Sequence, residues 1–112
     1  MEEKLSKKKC KPCEGGVPPL TPSKAQELLK QLSEDWMLID GGRILARTFT
    51  FRDFVETINF VNKVAKVAED EDHHPDMTIS YSNLGVELTT HAIGGLSEND
   101  FIVASKVDQI KL

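Results

Sequence analysis

Hydrophobic residues change their spacing several times along the chain, and these changes mark predicted helices and strands. Apolar positions at helical spacing follow Thr21, and a longer series of the same kind covers residues 51–68. Residues 36–39 and 44–49 are short runs rich in strand formers. The Asp-Gly-Gly sequence at residues 40–42 lies between these two runs and indicates a β-hairpin.

The long central helix has clear predicted ends. Thr50 is expected to be its N-cap, with Asp53 reaching back from three residues further along the chain. Pro75 cannot continue a helix and restricts the backbone of the residue before it. We therefore expect this helix to have ended by His74.

A second hairpin and a last helix complete the chain. Residues 77–81 and 86–91 are predicted strands, joined by a turn at residues 82–85. Ser97 is expected to cap the last helix, with Asp100 as its capping partner. The predicted order is α-β-β-α-β-β-α. Because single strands do not alternate with helices, this order predicts an α+β fold with an antiparallel sheet covered on one face.

The amount and distribution of apolar residues predict one domain preceded by a leader. Of the 112 residues, 39% are hydrophobic and 29% are charged, which is typical of a folded chain with one core. Residues 1–20 contain lysines, glycines and prolines with few apolar positions, and we expect them to form a flexible N-terminal leader. Residues 21–112 are expected to form the single domain.

Charge and hydropathy argue against several classes of partner and site. A formal net charge of -4 gives no general attraction to nucleic acid or to an anionic membrane, so neither is expected as a partner. No apolar run approaches the roughly 20 residues of a membrane-spanning helix, and the N-terminus lacks the apolar region of a signal peptide, so a cytoplasmic location is expected. Cys10 and Cys13 lack a second cysteine pair for a zinc site and are expected to be reduced or adventitiously metal-binding thiols on the leader.

All three histidines of the chain, His73, His74 and His91, fall within 19 residues. A single predicted hairpin separates the first two from the third, so the fold can bring them to one pocket. Imidazole, with an ordinary pKa of about 6.5, suits general acid and base catalysis near neutral pH. A three-histidine metal site is the alternative, although adjacent histidines on an extended chain point in different directions.

These histidines belong to a longer pattern with fixed spacing. The spacing E-x3-H-H-P-x5-Y-x9-H-x8-D is met by Glu69, His73, His74, Pro75, Tyr81, His91 and Asp100. The pattern resembles the signature of the pterin-4a-carbinolamine dehydratases, and residues 15–21 are similar to leaders of its bacterial-type members. The resemblance covers about residues 20–110 and implies a four-stranded antiparallel sheet with three helices on one face.

The resemblance also implies a reaction and its site. Members dehydrate 4a-hydroxytetrahydrobiopterin to the quinonoid dihydropterin during tetrahydrobiopterin recycling, with neither a metal nor an organic cofactor. By position, His73, His74 and His91 correspond to the catalytic residues, with His73 and His91 as the acid and base pair and His74 orienting the pterin. The substrate-binding residues that the resemblance implies are Asp72, His73, His74, Thr89, Thr90 and His91. Tyr81 is expected to be a core or sheet residue.

The implied partners are a pterin substrate and further copies of the chain, as a homodimer or homotetramer. A functional link to an aromatic amino-acid hydroxylase is also implied, because that enzyme produces the substrate. The alternative from another class of function is a protein-binding module, since animal members of the family also act as dimerisation cofactors and coactivators of a homeodomain transcription factor.

Overall fold

The computed structural model describes residues 4–11 and 18–111, and this part of the chain forms three α-helices and a four-stranded sheet in the predicted order. The helices are α1 (Pro22–Leu29), α2 (Phe54–Glu71) and α3 (Glu98–Asp108); the strands are β1 (Met37–Ile39), β2 (Ile44–Thr50), β3 (Asp76–Ser80) and β4 (Asn83–Leu88). Neighbouring strands are antiparallel, in the order β1-β2-β4-β3, which confirms the α+β fold. None of the described helices is long and apolar enough to cross a membrane.

The sheet buries one face and exposes the other, as the period of two along β4 shows. Leu84, Val86 and Leu88 are fully buried, whereas Asn83 and Glu87 are exposed. The three helices pack against the buried face and form the core with it. Large core residues from outside the strands include Leu28, Trp36, Phe60, Val64, Phe101 and Ile102.

The N-terminal caps of α1 and α3 are those that the sequence predicts. The hydroxyl of Thr21 accepts a hydrogen bond from the Lys24 amide at 3.2 Å. At α3, Ser97 and Asp100 form a reciprocal capping box. These two helix starts are therefore fixed by local hydrogen bonds that a sequence displays directly.

The predicted cap of α2 is wrong by three residues. Thr50 belongs to strand β2, and pairing with the neighbouring strand continues beyond it through the Phe51 amide, which donates to the Ser82 carbonyl. The cap is Asp53, whose carboxylate accepts from the Glu56 amide at 2.9 Å. Because sheet pairing holds Thr50 extended, the helix can begin only after the chain leaves the sheet.

The turn of the second hairpin is also shorter than predicted. It consists of Tyr81 and Ser82, not of residues 82–85, and Tyr81 is 66% exposed with a positive φ of 52°. The expectation that Tyr81 lies in the core or the sheet is therefore wrong. Leu84 was predicted to lie in the turn, but it shares the buried face with Val86. Because burial of Leu84 favours an extended backbone here, strand β4 begins at Asn83, closer to the turn than predicted.

Strand β4 ends earlier than the predicted end at His91. Its last residue is Leu88, after which Thr90 and Gly95 form an isolated bridge, with the Thr90 amide donating to the Gly95 carbonyl at 2.9 Å. The chain between them closes a short 3-10 turn at His91–Ile93. His91 consequently lies in this turn and not in the strand.

Residues 4–11 pack on the domain, which differs from the flexible leader predicted for residues 1–20. Leu5 is only 2% exposed and belongs to the hydrophobic core, and it begins a 3-10 turn that lies against α3. A single apolar residue among lysines gave no sign of this in the sequence. Cys13 lies outside the described residues, and the boundary at residue 20 stays a prediction.

Candidate active site

His73 is placed by the way in which α2 ends. Asp72 caps the helix in the left-handed conformation, with φ 51° and ψ 42°, and the His73 amide donates to the Ala68 carbonyl at 3.1 Å. Pro75 then keeps the following chain out of a helix. The side chain of His73 is 12% exposed, and its Nε2 lies 2.6 Å from Oδ1 of Asp100.

Asp100 is the centre of the polar network at this site. Its side chain is completely buried in the first turn of α3, where Oδ2 accepts from the Ser97 amide at 2.9 Å and from the Thr90 hydroxyl at 2.8 Å. His73 occupies the other oxygen. Both oxygens of this carboxylate therefore have hydrogen-bonding partners, and the positive end of the α3 dipole faces it.

The partner of His73 fixes which ring nitrogen carries its proton. A carboxylate accepts hydrogen bonds only, so the nitrogen that faces Asp100 must be protonated. Neutral His73 then presents Nδ1 as a proton acceptor. If Nδ1 takes a proton, the carboxylate of Asp100 stabilises the resulting imidazolium.

Thr90 connects this network to the segment that carries the third histidine. Its single hydroxyl proton is donated to Asp100, so the 2.8 Å contact with Ser97 uses the serine hydroxyl as donor. His91 follows immediately, is exposed, and has no hydrogen-bond partner for its ring among residues 4–11 and 18–111. Asp100 therefore links both histidine-bearing segments, one through His73 and the other through Thr90.

Thr89 and Thr90 make different contacts, although the family resemblance implied both as substrate-binding residues. The hydroxyl of Thr89 donates to the Arg43 carbonyl at 2.6 Å and so holds the connection between β1 and β2. Only Thr90 reaches Asp100. The structure brings Thr90 and His73 together at one carboxylate and does not bring Thr89 to it.

His74 and Asp72 lie on the surface beside this network. Nε2 of His74 is 2.5 Å from Oε2 of Glu69, and their side chains are 54% and 75% exposed. Such an exposed pair adds little to stability but restricts the orientation of the ring. Asp72 is exposed as well, at the helix end next to His73.

The described residues offer no cluster suited to the alternative metal site. Within residues 4–11 and 18–111, no three histidine, cysteine, aspartate or glutamate side chains are arranged to hold a metal ion. His73 and His74 each face a different carboxylate, as expected for adjacent side chains on an extended chain.

The comparison with protein families is decisive for this chain. The sequence model of the family described as "Pterin 4 alpha carbinolamine dehydratase" matches residues 18–110. The chain belongs to this family. Membership of the pterin-4-alpha-carbinolamine dehydratase family classes it as a hydro-lyase.

Bacterial relatives support the same assignment over nearly the whole length. A protein of Nitrosomonas eutropha, provisionally named a pterin-4-alpha-carbinolamine dehydratase, is 58% identical over 106 residues, which cover 95% of this chain and 92% of the relative. A protein of Rickettsia bellii with the same provisional name is 49% identical over 107 residues, covering 96% and 94%.

Two solved structures are similar in fold. A transcriptional coactivator/pterin dehydratase from Brucella melitensis is 35% identical, with a TM-score of 0.76, and the match covers 81% of this chain and 96% of that one. A pterin dehydratase-like protein, described as a RuBisCO assembly factor in the alpha-carboxysome, has a TM-score of 0.59 at 19% identity, covering 68% and 88%. The second likeness concerns the fold alone.

One partner of the candidate site was not recognised from the sequence. Asp100 was expected to act as the capping partner of Ser97, which the structure confirms, but its contact with His73 was missed. The cap by itself accounted for this residue. The fixed spacing from His73 to Asp100 was the signal that could have revealed the contact.

Proposed function

We propose that this chain dehydrates 4a-hydroxytetrahydropterins, with His73 and His91 as the residues that move protons. The observation that carries the proposal is the pair of His73 and buried Asp100 within a member of this family. A histidine backed by a carboxylate is a common general base, because the carboxylate orients the ring and stabilises its protonated form.

The reaction requires two proton transfers and the loss of one water molecule. The N5 proton of the pterin goes to a base, the nitrogen electrons form the C4a=N5 double bond, and the C4a–O bond breaks. The departing hydroxyl accepts a proton from an acid and leaves as water. Two imidazoles supply both functions and are regenerated when the proton taken from N5 returns to the acid through solvent.

The surroundings of the histidines suggest how the two roles are divided. His73 is assigned as the base, since Asp100 stabilises the imidazolium that forms when Nδ1 takes the N5 proton. His91 is assigned as the acid, since it lies exposed in the turn after Thr90 without a carboxylate partner among the described residues. His74, oriented by Glu69, is assigned to binding of the pterin ring.

A spectrophotometric assay with synthetic 4a-hydroxytetrahydropterin tests these roles. His73→Ala and His91→Ala are each expected to lower kcat by about a hundredfold or more, which is the usual effect of losing a general acid or base. His74→Ala is the matched control and is expected to raise KM more than it lowers kcat. Rates equal to wild type in both the His73 and the His91 variants would refute the assignment.

The same chemistry suggests the place of the enzyme in metabolism. A 4a-hydroxytetrahydropterin forms when a pterin-dependent hydroxylase uses oxygen, so we infer a functional link to an aromatic amino-acid hydroxylase and a role in tetrahydrobiopterin recycling. The quinonoid dihydropterin that leaves this site is then a substrate for a reductase.

Thr90 and Asp72 border the histidines and are assigned, with Thr89, to the pterin-binding surface.

A protein-binding role is the second candidate, because the Brucella melitensis relative is named as a coactivator as well as a dehydratase. The structure has exposed apolar side chains at the start of α2, Phe54 and Val55, which are 47% and 68% exposed. His73→Ala separates the two roles. A pure interaction function would survive this substitution in a binding assay, whereas the dehydratase activity would be lost.

A further inference from the structure

The N-terminal segment of residues 4–11, here called the strap, is joined to both helices of the candidate site. Leu5 anchors it in the core, and the ammonium group of Lys8 lies 3.2 Å from Oε2 of Glu98 in the first turn of α3. Its far end reaches the last residue of α2, Glu71. The strap therefore spans the gap between the end of one helix and the beginning of another.

Glu71 holds the strap at the end of α2. Its Oε1 accepts from the Cys10 amide at 2.8 Å, and its Oε2 accepts from Lys106 of α3 at 2.8 Å. Burial by itself raises the pKa of this carboxyl, but the hydrogen bonds from Lys106 and Cys10 and the nearby positive charges of Lys106 and Lys9 lower the pKa overall. Glu71 is thus an ionised group, 5% exposed, whose two oxygens tie α2 to the strap and to α3.

Asn99 holds the strap at the beginning of α3. Its Oδ1 accepts from the Lys11 amide at 3.0 Å and its Nδ2 donates to the Lys11 carbonyl at 2.7 Å, a pairing like that between two strands. The Cys10 thiol also donates to the Asn99 carbonyl at 3.6 Å. Burial and the charge of Glu71 raise the pKa of this thiol to about 12, so it stays protonated as a donor.

The two residues that hold the strap are neighbours of the two residues that form the histidine–carboxylate pair. Glu71 precedes Asp72 and His73, and Asn99 directly precedes Asp100. A hydrogen bond of 2.6 Å between His73 and Asp100 requires the ends of α2 and α3 to keep one fixed separation. The strap is bonded to the end of α2 through Glu71 and to the start of α3 through Asn99, and it does not contact His73 or Asp100 through these bonds.

We propose that the strap is a positioning element of the active site, and that Glu71 and Asn99 act as positioning residues which hold His73 and Asp100 at hydrogen-bonding distance. None of these strap contacts involves the reacting atoms. This inference rests on the proposed function of His73, and it assigns the activity of the enzyme in part to a segment outside residues 18–110 that match the family.

Proline substitution tests the strap without removing side chains from the site. In the full-length chain, Cys10→Pro with Lys11→Pro removes the two amide donors to Glu71 and Asn99, while Cys10→Ala with Lys11→Ala keeps them and is the matched control. The proline pair is expected to lower kcat by about tenfold or more with little change in KM, because misplacing a catalytic group slows the chemical step. The alanine pair is expected to retain kcat.

The second readout is independent of activity. In ¹⁵N NMR spectra of the imidazole rings, the proline pair should move the Nε2 resonance of His73 away from its hydrogen-bonded value, and the alanine pair should not. Asn99→Ala provides a further variant if the proline pair fails to fold, and the same shift is expected from it. A lower melting temperature with an unchanged His73 resonance and unchanged kcat would overturn the proposal and leave the strap a purely structural element.

The two proposals can fail separately. If wild-type protein does not dehydrate the pterin, the proposed function fails, yet the His73 resonance still reports whether the strap positions the ring. If wild-type protein is active and the strap variants match it in kcat and in the His73 resonance, only the strap proposal fails.

Discussion

At the scale of single residues, Asp100 combines two tasks that are usually given to different side chains. One oxygen closes the first turn of α3 by accepting from the Ser97 amide and the Thr90 hydroxyl, and the other holds His73. The same carboxylate therefore contributes to helix stability and to the proton chemistry proposed for the site. Variants at Asp100 and Ser97 can separate these contributions.

Asp100→Asn is expected to lower kcat by about tenfold or more, because an amide neither stabilises the imidazolium of His73 nor fixes its tautomer as a carboxylate does. Ser97→Ala removes the cap hydroxyl but leaves the carboxylate, and it should cost about 1 kcal/mol of stability with a smaller effect on kcat. Steady-state kinetics and urea unfolding of both variants provide the measurement. Equal kcat in Asp100→Asn and wild type would contradict the role assigned to the pair.

Glu71 predicts how stability changes with pH. The pKa of Glu71 is lower in the folded chain than in the unfolded chain. Ionisation of this carboxyl therefore stabilises the folded state. This contribution is fully present above the unfolded pKa of about 4.5 and is lost as the pH falls through the lower, folded value. Glu71→Gln should therefore show a shallower loss of unfolding free energy below pH 5 than wild type.

Urea unfolding of wild type and Glu71→Gln at a series of pH values between about 3 and 7 makes this comparison. Glu34→Gln, which removes one exposed carboxylate from the segment after α1, is the control for the change in charge. Parallel pH profiles of Glu71→Gln and wild type would show that Glu71 does not contribute in this way.

Individual site residues were accessible from the sequence to different degrees. His73 and His91 could be selected because few side chains titrate near neutral pH and the fixed spacing groups them. For the contact between His73 and Asp100, the only signal was the fixed spacing of the pattern, since the contact itself depends on how α2 and α3 approach one another. The different uses of Thr89 and Thr90 were hidden for a related reason, because they depend on where β4 ends.

At the scale of secondary-structure elements, the last residue of α3 fastens the helix to the sheet. Asp108 accepts from the Ser33 amide at 3.0 Å, from the Trp36 indole at 2.8 Å and from Arg47 of β2 at 2.7 Å. The guanidinium of Arg47 also lies 4.1 Å from the centre of the Phe49 ring. One carboxylate thus joins α3, the approach to β1 and strand β2.

Asp108→Ala is expected to destabilise the fold by about 2–3 kcal/mol, because it leaves the largely buried Arg47 and the Trp36 N–H without this acceptor. Lys66→Ala, which breaks an exposed ion pair with Asp70 on α2, is the control and should change stability by less than about 0.5 kcal/mol. Thermal and urea unfolding provide both values. Similar small effects in the two variants would mean that the network around Asp108 is not important for stability.

Element boundaries were predicted well where local chemistry determines them. Thr21 and Ser97 cap their helices as expected, since a cap needs only neighbouring residues. Thr50 and Leu84 were misassigned because pairing between strands, which is not local, overrode their ordinary preferences for caps and turns. These two errors lie at the end of β2 and the start of β4, where strand pairing continues further than the sequences suggest.

At the scale of the whole molecule, the sheet has two edges and the surface carries several apolar side chains. Strands β1 and β3 each pair on one side only in the described chain. The large apolar or aromatic side chains that are exposed in the described residues are Met37, Phe54, Val55, Ile79 and Tyr81. Free edges and exposed apolar groups of this kind favour association between copies.

We expect the purified protein to sediment at two or four times the chain mass of 12.5 kDa. Sedimentation equilibrium at several loading concentrations measures this mass without a shape assumption. A single species at the mass of one chain over the whole concentration range would contradict the expected homodimer or homotetramer.

The overall architecture was the most predictable level, and the docking of the strap was the least. The order of helices and strands follows from the repeated change between helical and strand spacing, which the whole sequence displays. The strap depends on Leu5, one apolar residue among lysines, and on backbone amides that every residue possesses. Recognition through main-chain groups leaves no pattern of side chains in a sequence.

The left-handed conformation of Asp72 has a consequence for engineering the protein. Glycine adopts a φ of 51° with less strain than any other residue, so Asp72→Gly is the substitution that thermostability screens of this helix end would favour. The same substitution removes a carboxylate from the residue beside His73. Selection for heat resistance alone would therefore tend to erode the proposed pterin-binding surface, and variants at this helix end need to be screened for turnover as well as for melting temperature.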